Sequence, residues 1–575
     1  MTSANAELSR NLEILYGQEQ GKAVYQTIMR KLEHRGQIET SPQPFNQEDA
    51  ILITYGDQIR SVGEPPLKTL TTFCQKWLTG YINTIHILPF FPYSSDDGFS
   101  VLDYREVDSH LGDWENVHQI GRDFKLMFDL VINHISAGST WFQSFLTGKE
   151  PYKDFFITPP VGTDLHSVVR PRTSPLLTTF KTNSGEKQVW TTFSADQIDL
   201  DFHNPEVFLA MLDVILDYTA HGVSYLRLDA IAYLWKDYDT NCLNLPQTHL
   251  IIQIIRSVLD LAAPHIRLIT ETNIPHLENI SYFGDGLNEA QLVYNFALPP
   301  LMLHALTTSR VDELREWAAT LSLPSNRTSF LNFLASHDGI GLNPARGILA
   351  EDDIFNLVEE VKKHGGLVSY KSMADGTSSP YELNINYFDA LSDPVSNESL
   401  DRQIKRFMVS QAVLLALKGV PAIYVHSLLG SRGWMEGPIL TGQNRSINRQ
   451  KFPLDELLEE LNNPLSLRSQ VYRRFSHLLK IRSAHAAFSP TSEQKIIFTG
   501  SKVFTLIRIP EHANPAVVCC HNFSCDPQTI LLPQQVQTLM SHKPINLIQN
   551  HPITIEEGVL HLDPYEIAWL TPVEA

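Results

Sequence analysis

Three short hydrophobic runs of this chain each end in an acidic residue. They are Tyr225–Asp229, Arg267–Glu271 and Phe330–Asp338. A carboxylate at the C-terminal end of a buried strand is where parallel α/β folds place their chemistry. The alternative is that each acid only caps the helix that follows, but glutamate is a poor N-cap compared with aspartate. The pattern therefore predicts that three strand-end acids meet at one rim of a parallel sheet.

Other apolar runs alternate with helix-sized polar segments, which is typical of βα units. Eight such strands predict an α/β protein built on a closed (β/α)8 TIM barrel. Besides the runs that end in Asp229 and Glu271, the predicted strands are Ile51–Tyr55, Ile82–Phe90, Leu126–Val131, Leu292–Leu298, Phe330–Ala335 and Ala422–His426.

The spacing of these strands divides the chain into three parts. Residues 1–48 are predicted as an N-terminal helical extension and 49–491 as the catalytic barrel, followed by a β-domain of short alternating strands over 492–575. Two intervals within the barrel, about 135–200 and 339–391, are too long for simple connections. Long insertions after barrel strands usually shape the site, so we expect two inserted subdomains there.

Composition limits the partners of the protein. The formal net charge is -19, from 45 basic and 64 acidic residues among 575, which disfavours nucleic acid or an anionic membrane as the main partner. The N-terminus M-T-S-A-N-A-E-L-S-R lacks the pattern of a signal peptide, and no transmembrane span is predicted. Five cysteines fit a reducing compartment, so we expect a cytoplasmic protein. The sequence makes no prediction of oligomeric state.

Two facing carboxylates at a barrel rim suit glycoside chemistry, in which one is the nucleophile and the other the acid/base. Arg227 lies two residues before Asp229 and so on the same side of the strand, where it can hold the charge of a nucleophile. Glu271 must be protonated when the leaving group departs, so its pKa should be raised. Asp338 would hold the sugar and stabilise positive charge at its ring.

At these residues the chain resembles the α-amylase superfamily, glycoside hydrolase family 13. Its four conserved regions are matched, in order, by Asn133-His134, R-L-D-A at Arg227, Glu271 and S-H-D at Ser336. Within the superfamily it resembles the sucrose phosphorylase subfamily, through L-I-T-Y-G-D, H-I-L-P-F-F-P, D-D-G-F and A-L-P-P-L-M-L-H-A. The similarity is greatest to glucosylglycerate phosphorylases, which share S-D-D-G-F-S-V, I-T-E-T-N, A-S-H-D-G-I-G-L-N-P and G-S-R.

The resemblance implies a pocket for one glucosyl unit and an acceptor side beside it. The implied glucosyl pocket is formed by Asp96, Phe99, His134, Arg227, His337 and Arg449. On the acceptor side, Asn273 and Tyr381-Glu382 depart from the sucrose phosphorylase pattern, which has a histidine and Tyr-Gln there. The loop V-V-R-P-R-T places Arg170 and Arg172 where relatives bind phosphate and acceptor, and Tyr233 is expected at the same subsite.

The resemblance implies a phosphorylase that transfers glucose between inorganic phosphate, giving α-glucose 1-phosphate, and a small acceptor, with retention of the α-configuration. D-glycerate is the expected acceptor, ahead of glycerol and fructose. No metal or organic cofactor is expected. An α-glucoside hydrolase and a catalytically dead amylase-like binding domain are the alternatives; the second should have lost at least one of the three acids, and this chain keeps all three.

Overall fold

The computed structural model describes residues 3–33, 43–372, 377–511, 515–541 and 544–572. Eight strands close into a parallel barrel at its centre, each lying beside its neighbours in chain order and the last beside the first. Nearly every residue in them is buried, which explains why the runs read as continuously apolar. The predicted (β/α)8 barrel is confirmed. The strands are β1 Ile51–Thr54, β2 Thr84–Ile87, β3 Lys125–Leu130, β4 Val223–Leu228, β5 Arg267–Thr270, β6 Leu292–Tyr294, β7 Ser329–Asn332 and β8 Val420–Tyr424.

Helices surround the barrel, and several begin at residues that favour a helix start. Pro66, Pro205 and Pro246 occupy the first helical position, where a missing N–H costs nothing. The side chains of Ser399 and Ser466 accept hydrogen bonds from backbone N–H groups as N-caps. The main surrounding helices are Pro66–Trp77, Trp114–Gly121, Pro205–Ala220, Pro246–Ala262, Leu298–Thr308, Asp312–Thr320, Leu400–Ala416 and Leu467–Ala484.

The strand ends differ in one respect from the prediction. Asp229 and Glu271 directly follow β4 and β5, as expected. β7 ends at Asn332, so Asp338 lies in the loop after the strand instead of at its end. The sequence could not show this, because the run from Phe330 to Ala335 is apolar except for Asn332.

Both long insertions carry secondary structure of their own. The first contains the helix Thr140–Leu146 and the hairpin of Leu177–Thr182 with Gly185–Trp190. The second contains the helix Glu351–Lys363 and a three-stranded sheet. The order of that sheet is Ile340–Gly341, Ser378–Asn384 and Leu367–Ser372. Residues 373–376 of this insertion lie outside the described residues.

Elements at the two termini flank the barrel. The helices Ser3–Tyr16 and Gln18–Glu33 pack against barrel helices, and Lys31 Nζ lies 2.8 Å from Oδ1 of Asp213. Residues 1–2 and 34–42 of the predicted extension lie outside the described residues. The domain limits at 48/49 and 491/492 stay predictions. Within the described ranges, every helix is too short or too polar to span a lipid bilayer.

The C-terminal part is a β-domain, as predicted. Its main sheet has six strands, and a separate pair joins Gln528–Leu531 to Val559–Leu562. Helix Gln534–Leu539 accompanies them. The six strands, in sheet order, are Glu493–Ile497, Val503–Ile509, Val517–Asn522, Ile567–Thr571, Ile545–Asn546 and His551–Pro552.

Candidate active site

The three predicted acids line one cavity at the C-terminal end of the barrel. Asp229, Glu271 and Asp338 are all part of its wall. The backbone N–H of Ala230 donates a hydrogen bond of 2.9 Å to Oε2 of Glu271. Ala230 adopts a φ of 49°, a conformation that costs a non-glycine residue free energy and is found mainly at functional sites. The turn after β4 thus brings Ala230, the residue next to Asp229, into contact with Glu271.

Arg227 contacts the carboxylate of Asp229 but is shared with a second acid. Its Nη1 atom lies 2.7 Å from Oδ1 of Asp229 and also forms a short ion pair with Asp129. Asp129 lies beside Arg227 in the register of β3 and β4, and its Oδ2 atom lies 2.7 Å from Nε2 of His86. Burial alone would raise the pKa of Asp129, but the charges of His86 and Arg227 outweigh it and lower that pKa to about 2.

The pair Asp229 and Glu271 holds a proton more strongly than isolated carboxyl groups do. Burial raises the pKa of Asp229 well above its ordinary value, with Arg227 opposing the shift and Glu271 adding to it. Burial also raises the pKa of Glu271, opposed by Arg227 and reinforced by Asp338. Neighbouring buried carboxyls titrate as a unit. Because Arg227 directly contacts Asp229, we place the negative charge on Asp229 and the shared proton on Glu271.

Asp338 is held ionised by neighbouring arginines. Its Oδ1 atom lies 2.5 Å from Nη1 of Arg445 and 4.0 Å from Nη2 of Arg449. Burial would raise the pKa of Asp338, but Arg445, then Arg227 and Arg449, lower it below its usual value. The carboxylate can therefore accept hydrogen bonds from sugar hydroxyls and stabilise positive charge.

Four of the six residues expected for the glucosyl pocket are part of the cavity wall, whereas Arg227 and Arg449 are not. The four are Asp96, Phe99, His134 and His337. The ring of His337 stacks on Phe99 with 4.7 Å between centroids and 6° between planes. Nε2 of His134 donates to the carbonyl oxygen of Phe99 at 3.0 Å. Burial lowers the pKa of both histidines, so that both are neutral.

Arg449 supports this pocket from behind its wall. It is not among the lining side chains. Its Nη1 atom donates to Oδ2 of Asp97 at 2.6 Å, and its Nε atom donates to the carbonyl oxygen of His337 at 2.9 Å. Arg449 therefore fixes the loop that carries Asp96 and the residue that precedes Asp338.

Most of the predicted acceptor-side residues line the same cavity, and we call their side chains the acceptor wall. Arg172, Tyr233, Asn273, Tyr381 and Glu382 are all there. Nδ2 of Asn273 donates to Oη of Tyr381 at 3.2 Å, which joins the loop after β5 to the second insertion.

Arg170 and Arg172 differ in position although both belong to the loop V-V-R-P-R-T. Arg170 is half-buried but does not line the cavity, whereas Arg172 does. The structure therefore brings only one of the two arginines to the site.

A buried lysine fastens the first insertion beside the pocket. Nζ of Lys236 lies 2.7 Å from Oδ2 of Asp199 and 2.7 Å from Oδ1 of Asn133. Asn133 precedes His134, and Asp199 belongs to the strand Gln197–Asp199 that pairs with His134–Ser136. The ammonium group thus holds His134 and Gln197 in register.

Comparison with known proteins places this site in a family. Residues 80–341 match the model of the α-amylase catalytic domain. A protein of Spirochaeta thermophila named glucosylglycerate phosphorylase is 46% identical over 98% of this chain and 97% of its own length. The chain belongs to the sucrose phosphorylase subfamily of glycoside hydrolase family 13. A protein of the same name from Allomeiothermus silvanus is 48% identical over 92% of this chain and 91% of its own.

A solved structure from this subfamily has the same architecture. The crystal structure of sucrose 6F-phosphate phosphorylase from Thermoanaerobacter thermosaccharolyticum superimposes with a TM-score of 0.72 at 26% identity. The match covers 83% of this chain and 94% of that one.

Sequence reasoning missed five residues of this glycoside hydrolase family 13 site. Asp129 had a detectable signal, since an acid inside the apolar run L-M-F-D-L-V needs a buried partner. Arg445 lies only four residues before Arg449 but carried no signal of its own. The other missed residues are cavity-lining side chains of the first insertion and of the loop after β6: Phe193, Gln197 and Phe296.

Proposed function

We propose that this enzyme is a retaining glycoside phosphorylase that transfers an α-glucosyl unit between inorganic phosphate and D-glycerate. The observation that carries the proposal is that Asp229 and Glu271 line one cavity together with the cationic side chains of Arg172 and Arg445. The relatives named glucosylglycerate phosphorylase, similar over nearly the whole chain, support it.

In the first half of the proposed reaction, the carboxylate of Asp229 attacks C1 of the glucosyl unit. The bond from C1 to the glycerate oxygen breaks, and Glu271 gives its proton to that oxygen, so that glycerate leaves as an alcohol. Asp338, held ionised by Arg445, stabilises the positive charge that develops at the sugar ring. The product of this half is a glucosyl ester of Asp229.

In the second half, phosphate takes the place that glycerate left. Glu271, now ionised, accepts a proton from a phosphate hydroxyl while the phosphate oxygen attacks C1. The ester bond to Asp229 breaks, and α-glucose 1-phosphate forms with net retention. No metal or organic cofactor enters either half.

The charge of the acceptor wall favours glycerate over neutral acceptors. Phosphate and acceptor must each attack the same face of the same intermediate, so a site for phosphate already suits an anion. The carboxylate of glycerate can form paired charge-assisted hydrogen bonds with an arginine, which glycerol and fructose cannot. The negative charge of Glu382 is largely offset by its ion pair with Arg445, whose Nη2 atom lies 2.6 Å from Oε2 of Glu382. We rank glucosylglycerol second and sucrose third as donors.

The experiment is a side-by-side assay of glucosylglycerate, glucosylglycerol and sucrose with phosphate. We expect the highest catalytic efficiency with glucosylglycerate and an α-phosphate product in proton NMR. A β-phosphate product would exclude double displacement, and a preference for either other donor would exclude glycerate. Omitting phosphate separates a phosphorylase from a hydrolase, which would release glucose just as fast. A dead binding domain would turn over none of them.

We also infer that the enzyme works in the cytoplasm. All five cysteines are free, four of them buried, which fits a reducing compartment.

A further inference from the structure

Arg445 joins the barrel rim to the second insertion. Its Nη1 atom lies 2.5 Å from Oδ1 of Asp338 on the rim. Its Nε and Nη2 atoms donate to the two carboxylate oxygens of Glu382, at 3.0 and 2.6 Å, in the parallel geometry of an arginine–carboxylate pair. One guanidinium group therefore contacts two carboxylates from different parts of the fold.

These contacts leave part of the guanidinium group unused. Arginine has five N–H groups in one plane. Two donate hydrogen bonds to Glu382, whereas the contact of Nη1 with Asp338 is an ion pair without hydrogen-bond geometry. Within the described part of the chain, the edge formed by Nη1 and Nη2 therefore keeps at least one N–H on each atom without an acceptor. Arg445 lines the cavity, and 19% of its side chain is exposed. A planar edge with two N–H groups matches a carboxylate or a phosphate.

Arg445 also lies between the cavity and the groove outside it, on the path of an entering ligand. A wider groove outside the cavity shares Asp96, Arg172, Phe193, Gln197 and Arg445 with it. The positive charges of Arg172 and Arg445 both act on Tyr381 and on Asp338. The two arginines therefore border the opening through which phosphate and acceptor reach C1.

The fold fixes Glu382 for this contact. Glu382 is only 2% exposed and pairs with Gly341 in the sheet of the second insertion. A Cβ atom on Gly339 would lie 2.6 Å from Cγ of Glu382, so this close approach needs glycine there. Similarly, a Cβ atom on Gly341 would lie 2.8 Å from the amide of Asn273. The sequence H-D-G-I-G thus makes room for Glu382 beside the catalytic loop.

We propose that Arg445 and Arg172 together bind the anionic group of either ligand, which is phosphate itself or the carboxylate of the acceptor. Glu382 positions Arg445 for this contact. Glu382 is then a positioning residue and not a ligand of the acceptor. The inference rests on the proposed function only for the identity of the acceptor, since phosphate alone is enough to test it.

Glu382 has two opposite effects on an anion, and they can be separated. Its charge repels the anion, so neutralising it should tighten phosphate binding if charge were all that mattered. Its contact with Arg445 orients the two unused N–H groups, so losing that contact should weaken binding. We expect the second effect to dominate, because bidentate charge-assisted hydrogen bonds depend strongly on geometry.

The test uses α-glucosyl fluoride as donor, because its leaving group, fluoride, has no carboxylate or phosphate group for the two arginines to bind. Asp229 attacks C1, the C–F bond breaks, and fluoride leaves without needing a proton. The glucosyl ester then partitions between phosphate, glycerate, glycerol and water. The measured quantities are two ratios, glucose 1-phosphate to glucose and glucosylglycerate to glucosylglycerol. Both ratios cancel any effect of the variants on Asp338 and the first half-reaction.

The variants are Arg445→Lys, which keeps the charge but loses the fork, and Glu382→Gln, which keeps the shape. We expect both ratios to fall about tenfold in each variant. The control is Arg346→Lys in the same insertion, whose arginine pairs with Glu351 away from the cavity and should leave the ratios unchanged. Calorimetric titration with phosphate, which needs no turnover, should show a Kd raised about tenfold in Arg445→Lys and Glu382→Gln only.

The outcomes distinguish this inference from the proposed function. If the unmodified enzyme makes glucose 1-phosphate but prefers glycerol, glycerate is the wrong acceptor, and the phosphate ratio still tests Arg445. If both variants keep both ratios and the phosphate Kd within about twofold of the unmodified enzyme, Arg445 does not bind the anion. Tighter phosphate binding in Glu382→Gln would overturn the positioning role of Glu382.

Discussion

Nη1 of Arg227 lies 2.7 Å from Oδ1 of Asp229, two residues further along the chain. Residues two apart on a strand share a side, and the register of β3 with β4 adds Asp129 to the same guanidinium group. The charge of Asp229 therefore depends on an arginine that a second, fully buried carboxylate fixes in place. Substitution of Asp229 should therefore affect catalysis, whereas substitution of Asp129 should affect stability.

Asp229→Asn should abolish turnover, with a loss of several orders of magnitude in kcat, because an amide cannot form the glycosyl ester. Folding should survive, since asparagine has nearly the same shape and can still accept a hydrogen bond from Arg227. The measurements are kcat with glucosylglycerate and phosphate, and the thermal unfolding temperature. Near-normal activity in Asp229→Asn, together with inactivity of Asp338→Asn, would mean that the roles of these two acids are assigned wrongly.

Asp129 should contribute pH-dependent stability. Its folded pKa of about 2 lies below the ordinary value of 3.8, so the unfolded chain binds the proton more readily. The contribution is therefore complete above about pH 4 and is lost as the pH falls towards 2, with a total of about 2 kcal/mol. Urea unfolding of the unmodified protein and of Asp129→Asn, compared at pH 7 and at pH 3, checks this.

Removing the charge of Asp129 leaves His86 without its ion pair and leaves Arg227 with Asp229 alone, so Asp129→Asn should lose about 3–5 kcal/mol at pH 7. The difference in unfolding free energy between the two proteins should shrink as the pH falls below 4. A difference that stays constant from pH 7 to pH 3 would show that Asp129 does not have a depressed pKa.

How far the sequence predicts this site depends on how local each contact is. The barrel was predictable because each buried parallel strand is a short apolar run with helix-length spacing. Asp229 and Arg227 were predictable together because they are two residues apart. The contact of Arg445 with Glu382 joins residues 63 positions apart, and only the packing of the second insertion creates it. Arg170 and Arg172 lie in a loop without regular secondary structure, where the spacing in the sequence does not fix the direction of a side chain, so the sequence could not choose between them.

Lys236 should be a large contributor to stability although it lies outside the cavity. Its side chain is 2% exposed and contacts Asp199 and Asn133. In Lys236→Met, the buried carboxylate of Asp199 loses its ion pair with Lys236, the one salt bridge that Asp199 forms within the described part of the chain. We expect a cost of about 3–5 kcal/mol. The matched control is Lys22→Met on the exposed face of the helix Gln18–Glu33, which should change stability by less than about 0.5 kcal/mol. Equal unfolding free energies for the two variants would contradict the role of Lys236.

Arg172 and Arg170 provide a matched pair for testing the anion preference. Both belong to one loop and carry the same charge, but only Arg172 lines the cavity. If proximity decides, Arg172→Ala should lower the ratio of kcat/KM for glycerate over glycerol by at least about tenfold, because a lost charge-assisted hydrogen bond affects only the anionic acceptor. Arg170→Ala removes the same charge further away, where solvent screens it, and should change the ratio by less than about threefold. The ratio is measured with α-glucose 1-phosphate as donor and each acceptor in turn. An equal decrease of this ratio in both variants would mean that the positive charge of the whole loop, and not a direct contact of Arg172, favours the anion. An unchanged ratio in Arg172→Ala would show that Arg172 does not bind the anion.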